Sequence, residues 1–201
     1  ADWRPLCRRL VGRCSLSFNV LVVPEDPTHN GHILRPLIER VLASCGKPNA
    51  KVDVLTNPKV CGFENACNTL RDEVIVRYAH YNLLLFLPDS DLVNRGTTLA
   101  ELEAFAQTKS VTLYCCEAIP EVEAWLLAGH IEKLTIGWQV VRSHPRLKEE
   151  VFVPFLETYG DKFRPGQGRK SLMTETLSNF EGLLTRCPEL KLLRQRVEMF
   201  L

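Results

Sequence analysis

Apolar residues along this chain fall into short runs that are separated by amphipathic segments. The continuous runs are typical of buried strands, and they lie at 18–23, 52–55, 83–87 and 110–115. Between them, apolar residues recur at helical spacing in 31–42, 64–78 and 98–107. This alternation predicts an α/β fold with a mainly parallel four-stranded sheet that is flanked by helices on both faces.

Capping and breaking residues indicate where the helices begin and end. The pair at 30–31, Asn-Gly, predicts the start of the first helix. Thr98 predicts the start of a later helix, with Glu101 as its capping-box partner. A further helix is expected to begin at Pro120 and to end at Gly129.

From Trp138 onward the pattern changes to helices joined by irregular loops. Helices are predicted at 147–159, 171–185 and 188–201. The last two are amphipathic, and they either pack on the domain or form a dimer surface. A homo-oligomer is therefore one of the two alternatives. We divide the chain into an N-terminal extension at 1–16, an α/β domain at 17–132 and a helical, mildly basic C-terminal region at 133–201.

The composition is that of a globular protein. The chain has 201 residues, of which 45% are hydrophobic, and this argues against disorder. The longest apolar stretches are far shorter than the roughly 20 residues that span a bilayer. The arginine-rich start lacks the sustained apolar core of a secretory signal. We therefore expect a cytoplasmic protein with no membrane partner.

Eight cysteines could form disulfides or a zinc site, but no Cys-x-x-Cys spacing occurs. Most of them lie inside apolar patterns, namely Cys61, Cys67, Cys115, Cys116 and Cys187. We therefore expect buried free thiols.

Charge is distributed unevenly along the chain. Residues 1–132 hold 13 basic against 16 acidic side chains, and residues 133–201 hold 12 against 8. An acidic first part suits a metal site, and a basic second part suits contact with phosphate backbones. The alternative is that both are ordinary solvated faces.

Carboxylates follow two of the predicted strands. The run Leu83–Leu87 is followed by Pro88 and then by Asp89 and Asp91. Carboxylates two residues apart just beyond a strand can both turn towards one hard divalent cation. Glu25, next to Asp26, follows the first strand and adds a further oxygen ligand. The competing interpretation is a solvated turn, in which aspartate is common.

Glu25 after the first strand and Asp89-x-Asp91 after the third resemble the TOPRIM fold. This metal-binding domain is shared by topoisomerases, bacterial primases and OLD-family nucleases. The segments EDPTHNGHILRPLIERVL and EAIPEVEAWLLAG are similar to those of compact TOPRIM-like proteins of bacterial defence loci. The resemblance covers roughly residues 17–201 and implies a Rossmann-like TOPRIM domain with a helical C-terminal extension.

The resemblance also implies an activity, namely Mg²⁺-dependent or Mn²⁺-dependent hydrolysis of DNA or RNA in anti-phage defence. The implied catalytic and metal-binding residues are Glu25, Asp89, Asp91 and Glu123, with Glu121 and then Glu117 as weaker candidates in place of Glu123. A basic glycine-rich turn supplies candidate contacts to nucleic acid, namely Arg164, Arg169 and Lys170.

The chain departs from the family pattern after Glu25. TOPRIM domains place glycine where this chain has Asp26, and OLD-type nucleases place an acid where it has His29. His29 could ligate a metal or cap the next helix. The departure leaves a second hypothesis open, a non-catalytic or partner-gated subunit of a complex with an ATPase. A third, a nucleotide-sugar transferase that uses Asp-x-Asp, fits the domain size poorly.

Overall fold

The computed structural model describes residues 17–201, so the predicted extension at 1–16 lies outside the described residues. Its sheet has four strands, which are β1 (Asn19–Pro24), β2 (Lys51–Val54), β3 (Leu83–Leu87) and β4 (Leu113–Cys115). All pair in parallel, in the order β2-β1-β3-β4. Each strand overlaps one predicted apolar run. The predicted α/β class is confirmed.

Ten α-helices are described for residues 17–201. They are α1 (Pro27–Ser44), α2 (Phe63–Thr69), α3 (Ile75–Arg77), α4 (Gly96–Thr108), α5 (Val122–Leu127), α6 (Trp138–Arg142), α7 (Val153–Tyr159), α8 (Arg169–Ser178), α9 (Phe180–Arg186) and α10 (Pro188–Phe200). A π-helical turn, Leu70–Val74, joins α2 to α3, and another, Lys148–Phe152, precedes α7. Short 3₁₀ turns lie at Ile131–Lys133 and Pro165–Gly168.

Both faces of the sheet are buried, as expected when helices cover a parallel sheet. Along β1, Val20 and Val22 face one core while Leu21 and Val23 face the other. The first core lies under α1, α5 and the C-terminal helices α8 to α10, and the second lies under α2, α3 and α4. The helical C-terminal region therefore shares a core with the sheet.

Several helix bounds differ from the expectation: α5 begins at Val122 and not at Pro120, and the single helix predicted at 171–185 is two helices, α8 and α9. Asp26 caps α1 by accepting a hydrogen bond from the Thr28 amide at 2.9 Å, so the helix begins before the Asn-Gly pair at 30–31. The cap is therefore Asp26 and not His29. Helix α4 begins at Gly96 without a side-chain cap, so the predicted capping box of Thr98 is wrong.

A hydrogen-bonded network around one ion pair fastens the C-terminal region to the sheet domain. The Arg142 guanidinium donates two hydrogen bonds to the Glu189 carboxylate, at 2.6 and 2.8 Å, and one to the Ile119 carbonyl at 2.7 Å. The Trp125 indole donates to the same carboxylate at 2.8 Å. The network ties α6 and α10 to the loop that follows β4 and to Trp125 of α5.

The six cysteines of the described part are free thiols. Cys67, Cys116 and Cys187 are buried as expected and Cys115 is half-buried, but Cys61 is exposed, so the prediction of a buried thiol is wrong for Cys61. Cys61 belongs to neither hydrophobic core, although its neighbour Val60 is part of the second. In residues 17–201, no helix has the length and apolar character needed to cross a membrane.

Candidate functional site

The strand order brings the predicted acids to one edge of the sheet. β1 and β3 are neighbours, with Pro24 opposite Leu87, so Glu25 and Asp89 leave the sheet side by side. The chain moves from β1 outward to β2 and then crosses back to β3. Such a reversal opens a crevice at the carboxyl ends of the strands, where α/β proteins place ligands.

The turn after β3 is held tightly against the loop that follows β4. Asp89 forms an isolated parallel bridge with Ala118. The buried Ser90 donates its amide to the Ala118 carbonyl at 2.9 Å and its hydroxyl to the Pro120 carbonyl at 3.3 Å. Asp91 and Leu92 adopt left-handed backbone conformations, with φ of 48° and 60°. Residues other than glycine rarely adopt this backbone conformation, so the anchored turn holds Asp91 in a strained conformation.

Asp89 lies at the centre of the carboxylates. Its Oδ1 accepts a hydrogen bond from the Val122 amide at 2.7 Å, which connects it to the start of α5. Burial and the negative charge of Glu123 raise the pKa of Asp89 to about 8, and Glu25 and Glu121 add to this. Three further acids therefore repel the Asp89 carboxylate here.

Glu123 is the most deeply buried of these acids. Its side chain is 1% exposed, and neither carboxylate oxygen has a hydrogen-bond partner. The nearest described cation is Lys148, whose Nζ lies 3.9 Å from Glu123 Oε1 and also 3.9 Å from Asp26 Oδ2. Burial raises the pKa of Glu123, and the charge of Lys148 opposes this.

Glu121, at the start of the same helix, has one buried oxygen without a partner. Burial and the charge of Glu123 raise the pKa of Glu121 to about 7. Glu117 also has a buried, unpartnered oxygen, and burial raises its pKa.

An arginine occupies the space between Glu25 and Asp91. Arg95 Nη2 donates to Asp91 Oδ2 at 2.7 Å, and Nη1 donates to the Asp89 carbonyl at 2.6 Å. Nη1 also lies 3.6 Å from Glu25 Oε2, which is an ion pair without a hydrogen bond. The guanidinium carbon lies 4.0 Å from the centre of the Phe63 ring. Burial and the charge of Asp91 raise the pKa of Glu25, and Arg95 opposes this.

Whether the site could bind a metal depends on the chemistry of its side chains and on their positions. Its donors are carboxylate oxygens, several of them buried without partners, and this is the ligand chemistry that Mg²⁺ or Mn²⁺ prefers. Buried polar atoms without partners require an explanation, and a cation supplies one. Yet no three Asp, Glu, His or Cys side chains of residues 17–201 converge closely enough to hold an ion. The carboxylate oxygens suit a hard cation, but the side chains would have to move closer together to coordinate it.

His29 lies in the first turn of α1, just after the capping residue Asp26. Burial and the positive charge of Arg169 lower the pKa of His29, and Lys148 adds to this. The charge of Asp26 opposes this, so His29 lies among charges of both signs.

The structure separates the three predicted contacts to nucleic acid. Arg164 is exposed and pairs with Asp161 at 3.1 Å. Arg169 is 4% exposed, and its guanidinium donates to the Gly166 carbonyl at 3.0 Å, so it supports the turn from inside. Lys170 is exposed and lines a cavity of about 600 Å³ with His32.

Sequence reasoning missed Arg95 and Lys148. Arg95 follows Asp91 by four residues, an ion-pair spacing that provided a local signal. Lys148 provided none, because it lies 25 positions after Glu123 and reaches it only through the fold.

Comparisons identify no relative. No family model matches the sequence, and no curated protein or solved structure matches the chain. The interpretation of the site therefore depends on its own geometry and on the resemblance in sequence.

Proposed function

We propose that this protein is a metal-dependent nuclease that hydrolyses phosphodiester bonds of DNA or RNA. The observation that carries the proposal is a group of mutually repelling carboxylates that follow β1, β3 and β4, of which Glu123 is fully buried and the others are partly buried. Asp89, with its pKa raised to about 8, lies among Glu123, Glu25 and Glu121. Carboxylates buried without partners are costly, and a divalent cation relieves that cost.

Each residue has a role in this proposal. Asp89 and Glu123 hold the cation, with Glu25 and Asp91 as further ligands, and Mg²⁺ or Mn²⁺ is the metal. When bound, the metal polarises a phosphate and lowers the pKa of a water molecule. Lys148, beside Glu123, is placed to pair with a phosphate oxygen and to offset charge that develops on it.

The resemblance in sequence supports the biological setting of the proposal. Compact TOPRIM-like proteins of bacterial defence loci act against phage, and many work with an ATPase that senses infection. We therefore place the activity in the cytoplasm, as the effector of an antiviral system with an ATPase partner.

Cleavage of plasmid DNA and of transfer RNA by the purified chain tests the proposal. Cutting is expected with Mg²⁺ or Mn²⁺, and EDTA is expected to stop it. An Asp89→Ala, Asp91→Ala double variant is expected to be inactive, and Asp72→Asn, at an exposed position on the π-helical turn, serves as the matched control. Cutting that persists in the double variant would refute the assignment of these acids.

A second candidate function is a partner-gated or non-catalytic subunit. The ion pairs of Arg95 with Asp91 and Glu25 favour it, because a cation of the protein itself already occupies part of the site. This candidate predicts that the isolated chain does not cut nucleic acid. Cutting by the isolated chain under any metal would exclude it.

A further inference from the structure

A large open cavity lies directly beside the acids. It has a volume of about 1,020 Å³ and lies between α2 and the segment 93–98. Its wall includes Arg95, the same residue that pairs with Asp91 and Glu25. The Arg95 guanidinium therefore lies between the acids and the cavity.

The lining of the cavity has mixed chemistry. Arg71 and Arg95 are positively charged, Phe63 offers an aromatic ring, and Asn65 and Asn68 offer amides. Glu64 is an acid in the same lining. Arginines that contact phosphates, a ring that stacks on a base and amides that hydrogen-bond to base edges are the parts of a single-strand binding site.

We propose that this cavity binds a single strand of nucleic acid, and that Arg95 couples strand binding to metal binding at the acids. This inference rests on the proposed function, since it names the substrate groove of that site and the way in which the site is controlled.

The contacts of Arg95 define the coupling. Its side chain is 14% exposed and makes its ion pairs with Asp91 at 2.7 Å and with Glu25 at 3.6 Å. A phosphate in the cavity competes for the same guanidinium, because a phosphate also accepts paired hydrogen bonds from arginine. Once Arg95 turns to the phosphate, Glu25 and Asp91 lose their counter-charge and are free to hold a cation.

The same movement uncovers Phe63. Arg95 now covers that ring at 4.0 Å, so its departure exposes an aromatic face on which a base stacks. Strand binding and metal binding therefore favour the same position of Arg95. By linkage, each ligand tightens the binding of the other by the same factor.

Strand binding is tested first, without metal, so that no cleavage occurs. Labelled single-stranded DNA and single-stranded RNA oligonucleotides are titrated with protein in EDTA and followed by fluorescence anisotropy, at two salt concentrations. Arg71→Gln is expected to weaken binding about 10-fold and to reduce the salt dependence. Arg77→Gln is the matched control, because Arg77 is also exposed and ion-paired on this helical segment but does not line the cavity.

Equal binding by the wild type and by Arg71→Gln would overturn the assignment of the cavity. Tighter binding of one oligonucleotide identifies the strand as DNA or as RNA, and either result supports the site. Failure of both to bind would also overturn the assignment.

The coupling is tested by calorimetric titration with Mn²⁺ in the absence of nucleic acid. Arg95→Gln is expected to bind Mn²⁺ about 10-fold more tightly than the wild type, a coupling within the usual range. Arg71→Gln is expected to match the wild type, because Arg71 pairs with Glu101 and not with the acids of the site. Arg95→Lys, which keeps the charge but cannot bridge two carboxylates, provides a second variant if Arg95→Gln does not fold. It is expected to show a smaller gain.

The outcomes separate the coupling from the proposed function. If the wild type binds Mn²⁺ and removal of Arg95 brings no gain, the coupling is overturned and the proposed function stands. If no variant binds Mn²⁺, the metal-dependent function and the coupling fall together.

Discussion

Asp89→Asn is expected to stabilise the metal-free protein at pH 8, although Asp89 is a proposed metal ligand. The exchange removes a charge from a crowded carboxylate group and keeps an oxygen that can accept the 2.7 Å hydrogen bond from the Val122 amide. A buried charge without a counter-ion costs folding free energy, so its removal is favourable. A purely structural aspartate would behave in the opposite way.

The magnitude follows from the pKa of Asp89, which the fold raises from 3.8 to about 8. The folded protein holds this proton to higher pH than the unfolded chain does, so the free energy of unfolding falls as pH rises from about 4 to about 8. One proton corresponds to at most about 1.4 kcal/mol for each pH unit. Because Asp89 is coupled to its acidic neighbours, we expect a loss of about 2–4 kcal/mol between pH 5 and pH 8.

Urea denaturation in EDTA at several pH values measures this effect. The wild type is expected to lose stability from pH 5 to pH 8, and Asp89→Asn is expected to lose much less. A residual slope should remain, because the pKa of Glu121 is also raised, to about 7. Asp72→Asn, an exposed aspartate, controls for the loss of one charge.

Two results would refute this reasoning. One is a wild type that is as stable at pH 8 as at pH 5 in the absence of metal. The other is a pH slope that is the same in the wild type and in Asp89→Asn, since the raised pKa of Asp89 would then make no contribution.

Three further predictions concern packing and thiol chemistry. Arg142→Met is expected to lower the free energy of unfolding by about 3–5 kcal/mol in urea, because it leaves the Glu189 carboxylate, whose side chain is 11% exposed, without its counter-charge. Gly129→Ala is expected to cost about 1–3 kcal/mol by the same assay, because its new methyl group would overlap Thr176 of α8. In a variant that carries serine at both cysteines of residues 1–16, a thiol reagent at pH 7.5 is expected to modify Cys61 fastest, since it is exposed.

Each of these has an internal control. The pair Arg142→Met, Glu189→Leu should recover much of the stability lost by the single change, and no recovery would contradict the ion-pair argument. Gly137→Ala should be tolerated, because no heavy atom lies within 4 Å of its new methyl group. Rapid modification of Cys116 would contradict the third prediction, because burial raises the pKa of that thiol well above its usual range.

The sequence by itself determined the four strands and most of the helices. The runs at β1 and β3 are apolar on both faces, which only a sheet covered on both sides satisfies. This apolar pattern can be read from the sequence, because it involves only consecutive residues of one strand. The helix starts were harder to predict, since Asp26 and the Asn-Gly pair at 30–31 compete for one cap, and α4 begins without any side-chain cap.

The tertiary structure alone decided which charges meet. The acids after β1 and β3 were predictable as candidates, but their proximity follows from the strand order β2-β1-β3-β4, which no local pattern encodes. Lys148 comes from the basic C-terminal region and reaches Glu123, while Arg169 of the same region is buried. Hydrophobic periodicity reports which face of an element is buried, whereas the partners of a charged side chain depend on the path of distant segments. The position of Arg95 between Glu25 and Asp91 is therefore set by the fold. Because of these ion pairs, the carboxylate site already contains a positive charge from the protein itself.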